Sequence, residues 1–314
     1  IIAHPSPPFG YRNRAQWRVR TLAGQTEIGY FQFASSALCA VEECPILAPR
    51  LAEVFEALRQ VLRSGGLPAQ LVEAEAFVDA AGEQVLLNAD FTNFSAPAEV
   101  MAKQLRNSLP RIESLLLHDA SRDRFELFGP GFIRTQVNEN NFCVGHFSFF
   151  QSNAHLLDQL ARAVTDMPEV QESSCALDLY AGVGVFAVAL AKRFGRVVAV
   201  ESNEGAVRDL EANISLARVS AQAVCADAAK FLSSWPERPE LVVLDPPRAG
   251  VEPAALSALV TLAPPRVHYV SCDPATLARD LAVLLAGGYR ITEVHFFDMF
   301  PQTFHIETLV RLAR

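Results

Sequence analysis

No stretch of this 314-residue chain approaches the roughly 18 consecutive apolar residues that a membrane-spanning helix needs, and no basic-then-apolar leader opens it at Ile1. Insertion into a membrane and secretion are therefore not expected, and a cytoplasmic location is. Internal repeats and low-complexity tracts are missing too. Cysteine is sparse: Cys39, Cys44, Cys143, Cys175, Cys225 and Cys272 are unevenly spaced, unlike the disulfide framework of a small secreted module, so a reducing compartment fits better. Positive charge is in deficit, with 27 Lys and Arg against 35 Asp and Glu, and a net charge of −8 argues against binding nucleic acid through overall charge.

Core material is plentiful. At 50% hydrophobic and 20% charged, the composition is that of a folded globular chain, and at roughly 100 to 200 residues per domain it predicts two domains. The charge deficit is not uniform. From Ile1 to Thr26 there are four arginines, Arg12, Arg14, Arg18 and Arg20, and no acid, with Tyr11 and Trp17 interleaved. That segment reads either as a surface for phosphates and bases or as an ordinary solvated strand face.

The first half reads as a smaller α+β domain over residues 1–148. Gln16 to Arg20, Thr26 to Phe33 and Val85 to Phe91 read as strands, Pro45 to Arg63 as a helix stopped at Gly65-Gly66, and Ala98 to Asn107 as a second helix. Phe125 to Phe150 returns to strands and turns. Residues 149–314 read differently, and from about Asn153 apolar strands alternate with helices: Ala176 to Leu179, Val197 to Val200, Ala221 to Cys225, Leu241 to Leu244 and Val267 to Val270, with helices from Val185, Glu204, around Ala254 and from Pro274. That alternation predicts a doubly wound parallel sheet, Rossmann-like in class. Ile291 to Phe297 and Thr308 to Leu312 lie too close in sequence for a crossover helix and so must pair antiparallel. A parallel sheet finished by such a pair is the architecture of S-adenosylmethionine methyltransferases.

Asp178-Leu179-Tyr180-Ala181-Gly182-Val183-Gly184 sits between a strand and a helix, where glycines let backbone amides approach a ligand. Gly182-x-Gly184-x-x-Ala187 also fits a relaxed dinucleotide fingerprint, and Glu201 at the end of the next strand suits ribose hydroxyls in either cofactor. Asp178 favours a cationic sulfonium ligand over a pyrophosphate. Asp227 is placed for an adenine amino group or, equally simply, for a helix N-cap. Asp245-Pro246-Pro247-Arg248 is a stiffened loop at the ligand edge of the sheet. Cys272, before the N-cap Asp273 and Pro274, reads as a thiol whose pKa is lowered by a helix N-terminus, hence a nucleophile; Cys175 and Cys225 read as small buried side chains. Glu307 reads as a base with a raised pKa among aromatic rings or as an ordinary exposed strand-end glutamate.

Taken together, Phe149-Phe150-Gln151, Asp178-Leu179-Tyr180-x-Gly182-x-Gly184, Asp245-Pro246-Pro247-Arg248, Ser271-Cys272-Asp273-Pro274-Ala275-Thr276-Leu277-Ala278-Arg279-Asp280 and Phe300-Pro301-x-Thr303-x-His305-x-Glu307 resemble the RNA 5-methyluridine methyltransferase family. Tyr11-Arg12-Asn13-Arg14 and Cys44-Pro45 extend the resemblance more weakly into the first half. It implies that Gln151, Tyr180, Glu201 and Asp245 contact S-adenosylmethionine, that Cys272 is the nucleophile and Glu307 the base. Val185 stands where a polar cofactor contact, often Asn, is found in the family, and Asp273 where Asn is frequent. Many relatives begin with an OB-like RNA-binding domain and a cysteine cluster holding a four-iron cluster. A four-iron cluster would belong to a full-length form; in this sequence, which starts past both, none is expected, and Cys44 is an orphan ligand at most.

The activity expected is methylation of C5 of a uridine in RNA, with 23S ribosomal RNA favoured over transfer RNA, by a monomer. Cys272 would add to C6, C5 would take the methyl group, and Glu307 would remove the C5 proton. Arg12, Arg14, Arg18 and Arg248 are candidate RNA contacts, Asp245 touches the uracil edge or the cofactor, and the Phe142 to Phe150 segment is a candidate wall for a flipped base. Three alternatives remain. A 5-methylcytosine RNA methyltransferase would need a cysteine in the Pro246-Pro247 loop, a nicotinamide-dependent oxidoreductase would use the Gly182 loop differently, and a silent RNA-binding protein would not keep both Cys272 and Glu307.

Overall fold

The computed structural model describes residues 1–314 apart from 23–24, 68–69, 168–169 and 172. The chain opens with a three-residue strand, β1 (Ile2–His4), which pairs in parallel with residues 295–297, far along the sequence. Then follow β2 (Arg14–Leu22), β3 (Gln25–Phe31), β4 (Leu38–Ala40), helix α1 (Pro49–Arg63), β5 (Leu71–Val78), β6 (Val85–Phe91), α2 (Ala98–Ser108), β7 (Ile112–Asp119) and β8 (Arg124–Phe128). Strands β2 to β8 form one sheet in the order β4-β3-β2-β5-β6-β7-β8. Its pairs are antiparallel except β6 with β7, which α2 joins as a crossover.

Helix α1 starts at Pro49 rather than at Pro45, because a proline in the first turn lacks only an N–H that has no intrahelical partner. Leu51, Val54, Phe55, Leu58 and Leu62 recur at helical spacing and are its buried stripe. They pack over Trp17, which is fully buried, lies 5.2 Å from the Phe55 ring and donates its indole N–H to the Tyr30 hydroxyl at 3.1 Å. Burying such a ring contributes about 1.5–3 kcal/mol, so this is a structural core and Trp17 is out of reach of any nucleobase.

After the hairpin of β9 (Phe132–Val137) and β10 (Asn140–Gly145) comes α3 (Ala154–Thr165). The alternation then runs β11 (Cys175–Leu179), α4 (Val185–Leu190), β12 (Arg196–Glu201), α5 (Glu204–Ala217), β13 (Ala221–Cys225), α6 (Ala228–Ser234), β14 (Leu241–Leu244), α7 (Pro253–Leu262), β15 (Arg266–Ser271), α8 (Pro274–Ala286), β16 (Arg290–Phe297) and β17 (Glu307–Ala313). The order is β1-β16-β17-β15-β14-β11-β12-β13, parallel throughout except for β17, which inserts antiparallel between β15 and β16. This is the doubly wound methyltransferase-type sheet expected from the alternation. Cys225 departs from expectation: β13 is an edge strand and the thiol is exposed.

Two compact units result, one of Ile1–Pro7, Val137–Cys143 and Phe147–Arg314, the other of Pro8–Gln136 with Val144–His146. They differ from a division at residue 148, because β1 joins the sheet of the later unit and the tip of the β9–β10 hairpin goes with it. A strand of three residues has no periodicity to betray its sheet. No helix among the described residues is long and apolar enough to cross a membrane.

Candidate active site

The parallel strands of the eight-stranded sheet finish along one edge, and β17, running the other way, begins there. Leu179 pairs with Val200 and Leu244, and Leu244 with Tyr269, so Tyr180, Glu201 and Asp245 come out on the same edge. Ser271 pairs with Thr308, which puts Cys272 and Glu307 opposite each other one rung further on. Residues from five strands, scattered over 130 positions of sequence from Asp178 to Glu307, are gathered by register alone.

The loop after β11 is built on unusual backbone. Tyr180 takes φ 62, Gly182 φ 53 and Gly184 φ 90, the left-handed region that disfavours side chains. A Cβ at Gly184 would collide with Leu210, whereas at Gly182 nothing lies within 4 Å, leaving that backbone open to a ligand. Glu201 holds the loop: its Oε2 accepts the Gly182 N–H at 3.0 Å and its Oε1 the Asn203 N–H at 2.8 Å, and each oxygen keeps a second lone pair for a hydroxyl. Asp178 is fully buried and neither carboxylate oxygen has a hydrogen-bond partner. Burial, then the charges of Asp245 and Glu201, push its pKa well above the carboxylate range, with only the Ala187 amide opposing. Gln151 Oε1 is likewise buried without a partner. The Asp178 acceptors, four residues from the open Gly182 backbone, fit a ligand that is cationic and rich in N–H donors, as S-adenosylmethionine is. Asp227 accepts the Lys230 N–H at 3.0 Å as N-cap of α6, so the simpler reading describes one of its oxygens.

At the reactive end one expectation is corrected. Cys272 precedes the N-cap of α8, but Asp273 Oδ1 already takes the amides of Ala275 and Thr276 at 3.0 and 2.9 Å. The amides credited with stabilising a thiolate are occupied. Burial, and then the charge of Glu307, raise the thiol pKa instead, and Asp245 adds to this while Arg248 opposes it. Glu307 is not an exposed strand end: it is 2% exposed, its Oε1 has no partner, and burial followed by Asp245 drives its pKa well above the usual range. Burial pushes Asp245 up to about 7. Burial thus raises all three acids above their ordinary values, with repulsion from neighbouring carboxylates added at Cys272 and Glu307.

Comparison with known proteins identifies the family. The sequence profile of the tRNA (uracil-5-)-methyltransferase family matches residues 3–314. The chain belongs to this family. It is an RNA (uracil-5-)-methyltransferase that uses S-adenosylmethionine. An uncharacterized RNA methyltransferase of Thermosynechococcus vestitus is 31% identical over 330 residues, 100% of this chain and 73% of that protein. One from Streptococcus mutans is 30% identical, over 98% of this chain and 73% of its own length. Among solved structures, the Pyrococcus abyssi tRNA (uracil-54, C5)-methyltransferase in complex with S-adenosyl-L-homocysteine superposes with a TM-score of 0.80 at 27% identity, over 99% of this chain and 78% of that one.

Several residues of this methyltransferase stand elsewhere than expected. Arg14 donates to Glu75 at 2.7 Å and Arg18 pairs with Glu73, both acids lying on β5, which β2 pairs with. Arg12 donates to the Arg14 carbonyl at 2.9 Å. The absence of acid near these arginines in sequence is therefore offset across the sheet, and Tyr11 and Trp17 are buried at 1% and 0% exposure. Arg248 is exposed on the site's own unit, with Nη2 3.0 Å from His305 Nε2. In the proposed aromatic wall, Phe142 and Phe150 are core residues, while Phe147 and Phe149 are exposed. Cys44 accepts the Tyr30 hydroxyl at 3.5 Å, and among the described residues no group of three or more His, Cys, Asp and Glu is placed to hold a metal.

Asp280, in sequence only one member of the Ser271–Asp280 motif, has a structural role of its own. It is fully buried and accepts the Tyr269 hydroxyl at 2.6 Å, the Val251 N–H at 2.8 Å and Arg279 Nε at 2.8 Å, while Arg279 Nη2 reaches the Ala249 carbonyl at 2.8 Å. It ties the stretch after Asp245-Pro246-Pro247-Arg248 to β15 and α8. Its signal in the sequence is a carboxylate three residues from Leu277 and four from Leu284, on a helix face otherwise apolar. Asn153 is a second such tie, caps α3 and donates to the Met299 carbonyl at 3.1 Å.

Proposed function

We propose that this methyltransferase modifies C5 of a uridine through a covalent adduct on Cys272, with Glu307 removing the C5 proton. The observation that carries the reading is the placement of a cysteine and a buried, unpartnered glutamate on facing rungs of β15 and β17, beside Asp245.

C5 of uracil is a weak nucleophile, so the ring must first be activated. Cys272 Sγ bonds to C6 and its proton passes to Asp245, whose value of about 7 suits it to accept near neutrality, while the C5–C6 π pair moves toward C5 and the O4 carbonyl. When bound, S-adenosylmethionine would supply the electrophilic methyl group to C5 and leave as S-adenosylhomocysteine; Glu201 and Asp178 are the residues that would hold it. Neutralising Asp245 removes one of the two causes that raise Glu307, which is then easier to ionise when a base is needed. Having released its own proton to solvent, Glu307 takes the C5 proton, the C5–H electron pair forms the C5–C6 double bond, the carbon–sulfur bond breaks, and Asp245 returns its proton to the departing Cys272 sulfur. The uridine must leave its stack to enter this edge.

The matching family and the Pyrococcus abyssi structure, both named for transfer RNA, favour transfer RNA over the 23S ribosomal RNA expected from sequence, and a transfer RNA uridine is the first substrate to test. Incubation of unmodified transfer RNA with protein and cofactor, followed by nucleoside mass spectrometry, should yield 5-methyluridine. Appearance of 5-methylcytidine, or of no methylated pyrimidine in either transfer or ribosomal RNA, contradicts the reading. Glu201→Ala should weaken cofactor binding by about 10- to 100-fold in calorimetry, about 1.4–2.7 kcal/mol.

A further inference from the structure

The first turns of α8 carry a row of side chains whose polar atoms are spent on the backbone of another segment. The Thr276 hydroxyl lies 3.1 Å from the Arg248 carbonyl and 3.2 Å from the Asp273 carbonyl and shares its one proton between them. Arg279 Nη2 donates to the Ala249 carbonyl at 2.8 Å, and Asp280 Oδ2 accepts the Val251 N–H at 2.8 Å. Gly250, between them, closes a turn on the Pro247 carbonyl at 2.8 Å. The approach is close: a Cβ at Gly250 would lie 2.5 Å from Arg279 Nη2 and 2.5 Å from Asp280 Oδ2. The clamp is itself anchored, since Asp280 is fully buried and also accepts the Tyr269 hydroxyl and Arg279 Nε.

What these bonds join gives them their meaning. Asp273 directly follows Cys272, and Arg248 follows Asp245 with only Pro246 and Pro247 between, whose ring-fixed φ angles leave little slack. The Thr276 hydroxyl therefore bridges the segment that carries the thiol and the segment that carries the carboxylate. Capping α8 does not require it, because Asp273 Oδ1 takes the amides of Ala275 and Thr276. We propose that Thr276 is a positioning residue, whose hydroxyl, backed by Arg279 and Asp280, fixes the Asp245-to-Arg248 loop relative to Cys272. The use of that alignment in methyl transfer rests on the covalent reading above, whereas the bridge itself does not.

The test compares Thr276→Val with Thr276→Ser in the whole chain. With transfer RNA and S-adenosylmethionine, the valine variant should lose about tenfold in kcat at unchanged KM, and the serine variant should recover most of the loss. A second readout needs no RNA. The charge of Arg248 opposes the rise of the Cys272 thiol pKa, so loosening its loop should move the pH midpoint of Cys272 alkylation by iodoacetamide upward in Thr276→Val and leave it in place in Thr276→Ser. Mass spectrometry of the Cys272 peptide reads that midpoint. Binding of S-adenosylhomocysteine and the melting temperature should be equal in all the proteins. Unchanged kcat and an unchanged midpoint in Thr276→Val overturn the proposal; so does a loss that serine fails to restore or that comes with a lower melting temperature, which would make Thr276 a packing residue only. If the unsubstituted protein makes no 5-methyluridine, the uridine reading fails, and the alkylation midpoints alone decide the bridge.

Discussion

Asp119 and Asp178 are both aspartates at strand ends with no exposed surface, one in each compact unit, and they are treated in opposite ways. Asp119, at the end of β7, accepts the Phe94 N–H at 3.1 Å, the Ser121 N–H at 3.1 Å and the Ser121 hydroxyl at 2.7 Å, and these bonds, the Ser121 hydroxyl first, hold its pKa low. Asp178, near the end of β11, has no well-formed hydrogen bond, only the Ala187 amide opposing, and burial drives its pKa up. Four other side chains repeat the contrast: Glu73 and Glu75 are paired with arginines, while Glu307 and Gln151 keep orphaned oxygens. The paired carboxylates of the first unit stabilise the fold. Along the edge of the second, orphaned oxygens are held at a cost to stability, which a bound ligand would relieve.

The contrast is sharpened most by Glu307→Gln. Removing the base should lower kcat by about 10²–10⁴-fold and let a methylated covalent adduct accumulate on ordinary uridine, visible on a denaturing gel. Thermal stability should not fall, since Glu307 Oε1 has no hydrogen-bond partner to lose. A drop in stability comparable to that from a core deletion would place Glu307 with the satisfied carboxylates of the other unit.

Next in size comes the paired substitution of the two buried aspartates. The folded pKa of Asp178 lies above its unfolded value of about 3.9, so its contribution is present at low pH and lost as pH rises toward the folded pKa, at about 1.4 kcal/mol per pH unit. Asp178→Asn should therefore flatten the decline of stability above about pH 4, while abolishing tight cofactor binding. Asp119 has a depressed pKa, so its stabilisation is present above the unfolded value and lost as pH falls through the folded one. Asp119→Asn should lower the melting temperature at neutral pH and cease to do so in acid. Identical pH profiles for the two variants would break the comparison.

Sequence periodicity made the βα alternation and the antiparallel finish of the later unit legible, because apolar strands and capped helices carry local signals. Which strand lies beside which does not. That β17 inserts next to β15, bringing Glu307 to Cys272, and that Glu73 and Glu75 face Arg18 and Arg14, are consequences of register between segments far apart in sequence. The sign of the Cys272 shift was also hidden. It depends on Asp273 taking the amides of α8 and on two buried carboxylates arriving from other strands.

The smallest effect is expected at β2. Arg18 is paired with Glu73, and its guanidinium lies 5.0 Å from the Phe31 ring, so Arg18→Ala should change RNA affinity by no more than about threefold in filter binding, within the roughly 0–1 kcal/mol of such a surface pair. Arg248→Ala, on the site's own unit, should cost more. A reversed order would return the RNA surface to the β2 arginines.

The central claim is that Cys272 is the nucleophile, although its thiol pKa is raised. Transfer RNA containing 5-fluorouridine tests it directly: after methyl transfer C5 bears fluorine and methyl, Glu307 has no proton to remove, and elimination is blocked. A covalent protein–RNA adduct that requires S-adenosylmethionine, maps to the Cys272 peptide and vanishes in Cys272→Ala is the result predicted. An adduct mapping to Cys143 or Cys225, or methylation of uridine by Cys272→Ala, would contradict the account.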